Sequence, residues 1–380
     1  MIYTVIGAGL MGSAAAYDLA TTNPLDEIAL ADINFERAIE SAKRIAPNVT
    51  PIQLDVHNNE ALINVLKGSN AAISAVSYSV NYQLSKAAIQ AGVHMCDLGG
   101  NNDVVQKQLT LDEEAKKNGI TIVPNCGLAP GLTSILIMEG IKQFDELDSI
   151  QVRVGGLPQH PRPPLNYQVL FGTEGLINEY VEPAVVIRDG RVGQVEPLTD
   201  LEDIQFPEPF GTLEAFNTSG GTSILPQLLN GKVKNLNYKT IRYKGHCEKF
   251  KTLLDLGFAS SEPIVVGGSV KTAREFFEYL LRKKLNFGDK DVVLARATIT
   301  GRHNAAMRKL AYEFVDYYDD ATQMTAMMRT TAFPTSIIAQ LLAHGAVQMR
   351  GVLPPELCVP ADIMISELKK RNVNIKQTVT

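Results

Sequence analysis

The chain is poor in cysteine, has no apolar run long enough to cross a bilayer, and carries no surplus of positive charge. Its four cysteines, Cys96, Cys126, Cys247 and Cys358, show no CxxC spacing in 380 residues. A disulfide-stapled scaffold is thereby excluded, and reduced thiols in a cytoplasm are the simplest account. The pairs His94/Cys96 and His246/Cys247 lack a second pair at finger-like spacing, so no metal site is expected. No stretch approaches the ~18–20 apolar residues of a membrane span. The first residues run directly into a strand with no basic segment ahead, which gives no sign of a secretory leader. A net charge of −5 without a Lys/Arg cluster argues against nucleic acid or an anionic membrane as a partner.

What is present is an ordinary globular composition at a length that allows two domains with full cores. An apolar run, Ile2 to Ile6, breaks at Gly7, Gly9 and Gly12 and passes into a small-residue helical stretch ending near Ala20. A second run, Ile28 to Ala31, stops at Asp32. Strand, glycine turn and helix form a dinucleotide fingerprint. The glycines let the backbone approach a pyrophosphate, and the helix start at Leu10 and Met11 offers free N–H groups. Asp32 stands where a carboxylate accepts from both ribose hydroxyls. With no Arg immediately beside it, it repels a 2′-phosphate, so NAD is expected over NADP.

Strands and helices then alternate. Helices are predicted at Phe35–Ile45, Glu60–Leu66, Tyr82–Ala91 and Val104–Lys117, with strands at Val49–Leu54, Ala71–Val76, Val93–Cys96 and Ile120–Val123. This rhythm predicts an α/β fold, a doubly wound parallel sheet of the Rossmann kind, with ligands beyond the carboxyl ends of its strands. The residues at those ends are Asp55, the turn Ser74, Ala75, Val76, Ser77 and Tyr78, then Asp97 and Leu98, and Cys126. Each is a candidate for the cofactor crevice; the glycine loops among them can equally be helix-start turns.

Near Asp148 the pattern becomes strand-like, with a hairpin signal at Arg188–Arg191 and an ordered loop at Leu157–Pro164. Strands are expected near Asn237–Tyr243, Val292–Thr300 and Leu310–Tyr317, and helices at Phe250–Leu256 and Ser269–Lys283. Helices return at Ser336–His344 and Ala361–Arg371. The expected division is a dinucleotide domain over 1–130, an α+β substrate and oligomerisation domain over 131–324, and C-terminal helices over 325–380 packing back on the first domain. Within the second domain, Arg242 at a strand end can offer a bidentate fork to an amino-acid carboxylate, helped by the hydroxyls of Thr218 and Ser219. His246 is near enough in sequence to share that pocket. Glu174, beside a glycine, can accept from a substrate amine or cap the following helix.

The strings GAGLMG, HxxDLGG, NCGLAPG, TEGLINEYVEPA, TSGGTSILP and KTIRYKGHCEK, in that order, resemble the saccharopine dehydrogenase-like (saccharopine reductase-type) family. Within it the chain is most similar to the lysine 6-dehydrogenase branch. Ala129 stands where saccharopine reductases tend to have Asp. The resemblance implies NAD-dependent oxidative deamination of the ε-amine of L-lysine to 2-aminoadipate 6-semialdehyde, which cyclises, with release of ammonia. It also implies a homo-oligomer, a homodimer or homotetramer, paired through the second-domain sheet. Tyr78 and Cys126 match positions lining the family's cofactor–substrate crevice. Hydride leaves C6 only when the nitrogen has a free lone pair, so the site must take a proton from an amine of reference pKa ~10.4. His246, Asp97 and Glu174 are the candidate bases. The competing expectations are a saccharopine- or carboxynorspermidine-type reductase of the same family and a non-catalytic NAD-binding sensor. A short-chain alcohol dehydrogenase would want a Tyr-x-x-x-Lys pair on a helix, a spacing that Tyr238-Lys and Tyr243-Lys do not give.

Overall fold

The computed structural model describes residues 1–267 and 269–380. The chain divides into two compact units, Met1–Glu139 with Met328–Asn374, and Gly140–Met327 with Ile375–Thr380.

The first unit opens with β1 (Ile2–Ile6), α1 (Leu10–Thr22), β2 (Glu27–Asp32), α2 (Phe35–Ile45), β3 (Val49–Gln53), α3 (Asn59–Leu66) and β4 (Ala71–Ser74). It continues through α4 (Asn81–Ala91), β5 (His94–Asp97), α5 (Asn102–Leu109), α6 (Asp112–Lys117), β6 (Thr121–Val123) and α7 (Thr133–Gly140). Three of these helices start behind an asparagine. The side chains of Asn34, Asn58 and Asn101 each accept a backbone N–H from the first turn, satisfying a donor the helix itself cannot. The stretch predicted as one helix over Val104–Lys117 is two, α5 and α6, broken at Thr110–Leu111.

The second unit begins with β7 (Glu146–Pro158), α8 (Thr173–Val181), the hairpin β8 (Ala184–Arg188) and β9 (Arg191–Val195), β10 (Glu202–Phe206) and β11 (Gly211–Asn217). Then come α9 (Leu225–Leu228), β12 (Val233–Arg242), α10 (His246–Asp255), β13 (Pro263–Val266), β14 (Ser269–Thr272), α11 (Ala273–Leu285), β15 (Asp291–His303) and β16 (Ala306–Tyr317). After α12 (Ala326–Ala343), the first unit is completed by β17 (Gly351–Val352), α13 (Pro355–Cys358) and α14 (Ala361–Lys370), and β18 (Lys376–Val379) returns to the second sheet.

Three helix starts differ from the sequence reading. The Ser269–Lys283 segment begins as a strand and turns helical only at Ala273, where Thr272 and Glu275 form a capping box. α10 starts at His246 rather than Phe250, because the Glu214 carboxylate of β11 accepts from the N–H groups of Gly245 (2.8 Å) and Cys247 (2.7 Å). α12 starts at Ala326, ten residues before the predicted Ser336, with the Asp291 carboxylate accepting from Ala326 and Met327. The last two caps come from side chains distant in sequence and leave no local signal.

The first unit's sheet has seven strands in the order β17-β6-β5-β4-β1-β2-β3, and every pairing is parallel. The order reverses between β1 and β4, and at that switch point the carboxyl ends of the two strands diverge to leave a crevice. Ile6, Ala31, Ala72, Met95 and Ile122 from the strands pack against Leu62, Leu66, Leu84 and Ala88 from the helices. The C-terminal segment is tied in by a buried ion pair: Arg371 Nε lies 2.6 Å from Asp18 on α1, whose other oxygen accepts from Ser336 on α12 (2.6 Å).

The second unit's sheet has nine strands. β7 pairs parallel with β12 and antiparallel with β15, the rest of the sheet being antiparallel. Alternation along β11 and β12 sends Leu213, Ala215 and Ile241 to one core. The intervening Glu214, Phe216, Thr240 and Arg242 face the opposite side, where Tyr167, Tyr180, Phe216, Phe250 and Phe277 form an aromatic core.

Candidate active site

In the first unit the three fingerprint glycines have different reasons to be glycine. Gly7 has φ +105°, and a Cβ there would lie 2.6 Å from the Ala75 carbonyl; a Cβ on Gly12 would lie 1.7 Å from the Gly7 carbonyl. These two are required by packing. Gly9 has an ordinary φ of −74°, and a Cβ on it would meet nothing within 4 Å. The space above Gly9 is therefore open, at a helix start whose first N–H groups have no side-chain cap. That is a cradle a methyl group would fill, and it fits a pyrophosphate.

Asp32, at the end of β2, is buried and already accepts three hydrogen bonds, from Ala8 N (2.7 Å), Asn34 N (2.8 Å) and Arg37 Nη2 (2.8 Å). Burial pushes its pKa up, but the bonds from Arg37, Ala8 and Asn34 outweigh it and the net shift is downward. Arg37, five residues on and half exposed, is a cation the local reading of Asp32-Ile-Asn did not register.

Of the other strand-end residues, Ser74 is buried and donates to Asn81 Oδ1 (2.7 Å). Ala75, Val76 and Tyr78 are half-buried, while Ser77 and Asp55 are exposed, and Asp55 caps its own turn through His57 N. Asp97 is fully buried. Its oxygens accept from Gly99 N (2.7 Å), Asn125 N (3.2 Å) and Gln108 Nε2 (2.7 Å), so it ties the loop after β5 to the loop after β6. Burial raises its pKa against those three donors. Leu98 is half-buried beside it. Cys126 is buried, its thiol donates to the Val123 carbonyl (3.1 Å), and burial raises its pKa well above that of a free thiol. It is a neutral thiol rather than a thiolate. His94 accepts from Thr121 N (2.9 Å), which accounts for it as a link between neighbouring strands. Among the described residues no group of His, Cys, Asp or Glu side chains is placed to hold a metal ion.

In the second unit the structure gathers Arg242, His246, Thr218 and Ser219, and adds Glu179, Tyr180 and Tyr167. Arg242 is buried on β12. Its Nε donates to Tyr180 Oη (2.9 Å) and its Nη1 to the Ile241 carbonyl (2.9 Å), while its guanidinium lies 4.5 Å above the Tyr167 ring centroid. Nη2 makes no hydrogen bond among the described residues. His246 Nδ1 is 2.9 Å from the Leu165 carbonyl. A carbonyl only accepts, so Nδ1 carries the proton and Nε2 is the acceptor for the Tyr180 hydroxyl at 3.1 Å. The result is a directed chain: Arg242 to Tyr180, Tyr180 to His246, His246 to backbone. Burial and the Arg242 charge lower the His246 pKa to about 3. His246 is thus neutral, with its one acceptor nitrogen filled, and it orients Tyr180.

Two other buried cations on this sheet are spent internally. Arg153 Nε lies 2.5 Å, and Lys239 Nζ 2.7 Å, from the Glu202 carboxylate. Among the described residues Arg242 forms no ion pair with a carboxylate. Glu179, on α8 beside Tyr180, feels it instead: burial drives the Glu179 pKa up to about 7, and the Arg242 charge only partly opposes this. Thr218 shares a hydrogen bond with Thr240 (2.7 Å), and Ser219 N donates to the Glu179 carbonyl (3.0 Å). The glycine loop is bound closely to the sheet, since a Cβ on Gly221 would lie 2.3 Å from the Tyr238 ring. Glu174, in the first turn of α8, is exposed.

Glu179 was not among the residues singled out from sequence. The available signal is the buried stripe Leu176, Ile177, Tyr180 on α8, since Glu179 lies three residues after Leu176 and so borders that face.

A glycine-turn dinucleotide site on a parallel sheet, with a separate unit carrying an arginine that forms no ion pair among the described residues and a half-buried glutamate whose pKa is raised, defines the class as a two-unit nicotinamide-nucleotide oxidoreductase. Comparison with known proteins makes this particular. Residues 3–123 match the saccharopine dehydrogenase NADP binding domain, and residues 127–373 the saccharopine dehydrogenase C-terminal domain. The chain belongs to the saccharopine dehydrogenase family. It is 24% identical to mouse mitochondrial alpha-aminoadipic semialdehyde synthase over 92% of this chain and 45% of that one. It is 22% identical to saccharopine dehydrogenase [NADP(+), L-glutamate-forming] of Saccharomyces cerevisiae over 97% of this chain and 96% of that one. The chain spans about half the length of several of the curated relatives it matches, 45% and 52% in two of them. The fold is shared with apo saccharopine dehydrogenase (L-Glu forming) from S. cerevisiae, with a TM-score of 0.82, 19% identity and coverage of 100% of this chain and 99% of that one. Homospermidine synthase from Legionella pneumophila, solved with NAD, gives 0.71 at 13% identity, covering 100% and 92%. No helix among the described residues is long and apolar enough to cross a membrane.

Proposed function

We propose that this chain is an NAD(P)-dependent amino-acid dehydrogenase that oxidises the bond between C6 and the ε-nitrogen of a lysyl group. Its substrate on this reading is saccharopine, as in the relatives named L-glutamate-forming. The observation that carries the reading is Arg242: a buried, oriented guanidinium with no carboxylate of its own, beside a glutamate titrating near neutral pH. Its Nη edge would receive a substrate carboxylate, with Thr218 and Ser219 at the same loop. Tyr180 and His246 hold the guanidinium plane. Glu179, when ionised, would take the proton from the secondary ammonium and free the lone pair that expels hydride from C6. The nicotinamide, when bound, supplies the hydride acceptor. Water then adds to the C6 iminium and the C6–N bond breaks, leaving 2-aminoadipate 6-semialdehyde and glutamate. Asp97, Gly99, Asn125 and Cys126 would shape the cofactor crevice, with Tyr78 at its side.

A second reading, ε-deamination of L-lysine itself, shares every step but the amine released, which becomes ammonia. It is favoured by Arg242 being, among the described residues, the one buried cation of this sheet without an ion pair, because saccharopine carries more carboxylates than Arg242 alone can hold. The cofactor choice also has two observations behind it. Asp32 favours NAD, whereas Arg37 is a cation within reach of the same ribose. We read the first unit as the cofactor domain and the second as the substrate and oligomerisation domain, in a reducing compartment such as the cytoplasm.

A screen of saccharopine, L-lysine, L-ornithine and diamines with each nucleotide, following reduced nicotinamide and assaying ammonia and glutamate, tests the proposal. Turnover of saccharopine with glutamate released supports the main reading, and ammonia from lysine the second. Reduction with neither substrate refutes both.

A further inference from the structure

Helix α8 carries Glu179 and Tyr180, yet little within it holds it in place. It has nine residues, no side chain caps its start, and its last turn contains no basic residue. A helix this short depends on its neighbours. Leu176, Ile177 and Tyr180 pack into the aromatic core, but apolar burial is non-directional and does not by itself aim the polar side chains of the helix.

The directional contacts converge on Asn178. On one side, Arg274 near the start of α11 donates from Nη2 to Asn178 Oδ1 (2.5 Å) and to the Glu174 carbonyl one turn earlier (3.4 Å). Arg274 is itself half-buried and oriented. Its Nε donates to Glu278 (3.1 Å), and its backbone N–H donates to the Ser260 carbonyl in the turn after α10 (3.1 Å). On the other side, Ser219 donates from Oγ to the Asn178 carbonyl (3.4 Å) and from N to the Glu179 carbonyl (3.0 Å). The last turn of α8 is thus held between α11 and the glycine loop of Thr218 and Ser219.

We infer that Arg274, acting through Asn178, is a positioning residue of the candidate site, setting the rotation of α8 and so the aim of Glu179 and Tyr180. The inference rests on the roles proposed above for Glu179 and Arg242. Aim matters, because a misplacement of about 1 Å at a reacting group costs up to about 100-fold in rate. Position and charge are separated by sign. Burial dominates the Glu179 titration, ahead of Arg242 on β12 and Glu182 at the end of α8. The hydroxyls of Tyr167, Tyr180 and Tyr238 also lie in its field. Removing a cation from the neighbourhood of a carboxylate raises its pKa, whereas letting the carboxylate turn into water lowers it.

The test compares Arg274→Ala and Asn178→Ala with Thr272→Ala. The last removes the α11 cap, where Thr272 Oγ1 accepts from Glu275 N (3.1 Å), but no bond to α8. The readout is the pH profile of kcat/KM for whichever of saccharopine and L-lysine the wild type oxidises. In both clamp variants the inflection should fall by at least about one pH unit, and kcat by about 10- to 100-fold, with nucleotide Kd within about twofold. The double variant should lose no more than either single variant, because the two side chains act together. Thr272→Ala should lower Tm and leave the inflection unmoved. An inflection that stays or rises in Arg274→Ala, the same fall in Thr272→Ala, or additive losses in the double variant overturns the inference. Amide hydrogen exchange judges the clamp apart from the chemistry. In Arg274→Ala the last turn of α8 and Ser219 should exchange at least about tenfold faster than in the wild type. Unchanged exchange there refutes the clamp whatever the substrate proves to be. A wild type that oxidises neither amine, with exchange still quickened in the variant, instead overturns the reading of the site and the part Arg274 plays in its chemistry.

Discussion

Arg242→Lys is the perturbation that separates the clamp from ordinary packing. The guanidinium makes two internal hydrogen bonds, to Tyr180 Oη and the Ile241 carbonyl, and on the proposed reading its Nη2 edge receives a carboxylate. Lysine retains the charge but has no planar fork, so a bidentate pair becomes a single contact. Loss of such a buried pair costs about 2–4 kcal/mol, or about 30- to 700-fold in kcat/KM, most of it in KM. The internal bonds lost with it lower stability by about 1–3 kcal/mol. Arg153→Lys is the matched control, because Arg153 is equally buried on the same sheet but bound to Glu202. It should lower Tm to a similar degree and leave KM within about twofold, the scatter expected away from the site. Initial rates against substrate concentration, with thermal melts of both variants, provide the comparison. A KM for Arg242→Lys within threefold of wild type, or an equal rise in Arg153→Lys, refutes the clamp.

Three further outcomes follow from the geometry. With the Glu179 pKa raised to about 7, kcat/KM for oxidation should climb with pH as the carboxylate ionises and level off above about pH 7; Glu179→Gln should lose that inflection and about 100-fold in rate, and a profile unchanged by the substitution counts against Glu179 as proton acceptor. Gly9→Ala should keep its melting temperature, since a Cβ there meets nothing within 4 Å, yet weaken nucleotide binding at least about tenfold by titration calorimetry, whereas Gly12→Ala should destabilise the fold. Glu356 is buried, both its carboxylate oxygens lack partners, and burial raises its pKa to about 7 from 4.5. The unfolded chain ionises first, so stability should fall between about pH 4.5 and 7 and then level, by about 3 kcal/mol in all; denaturant melts of Glu356→Gln should show a flatter slope across that window, and an identical slope would contradict it.

The parallel sheet was legible because its strands are short apolar runs broken by glycine and asparagine, signals that act within a few residues. The same locality explains what was missed. Arg37 reaches Asp32 only because α2 turns back over the end of β2, and α10 and α12 begin where distant carboxylates, Glu214 and Asp291, supply their caps. For the candidate site, Arg242 was visible from its residue type and strand end. His246 was visible as a residue but not in its role, since its neutral state depends on Leu165, Tyr180 and Arg242 meeting from separate segments. Glu174 and Glu179 share one helix, and the choice between them turns on which side of α8 is buried, a property of the packed core rather than of either residue.

The central claim is that hydride leaves C6 of a lysyl group, and isotope transfer tests it most directly. Saccharopine carrying deuterium at the lysyl C6, incubated with the chain and oxidised nicotinamide nucleotide, should give reduced nucleotide bearing the label and glutamate as the amine product. Label that appears in the nucleotide only when it is placed on the α-carbon of the glutaryl group, or in neither case, contradicts the account.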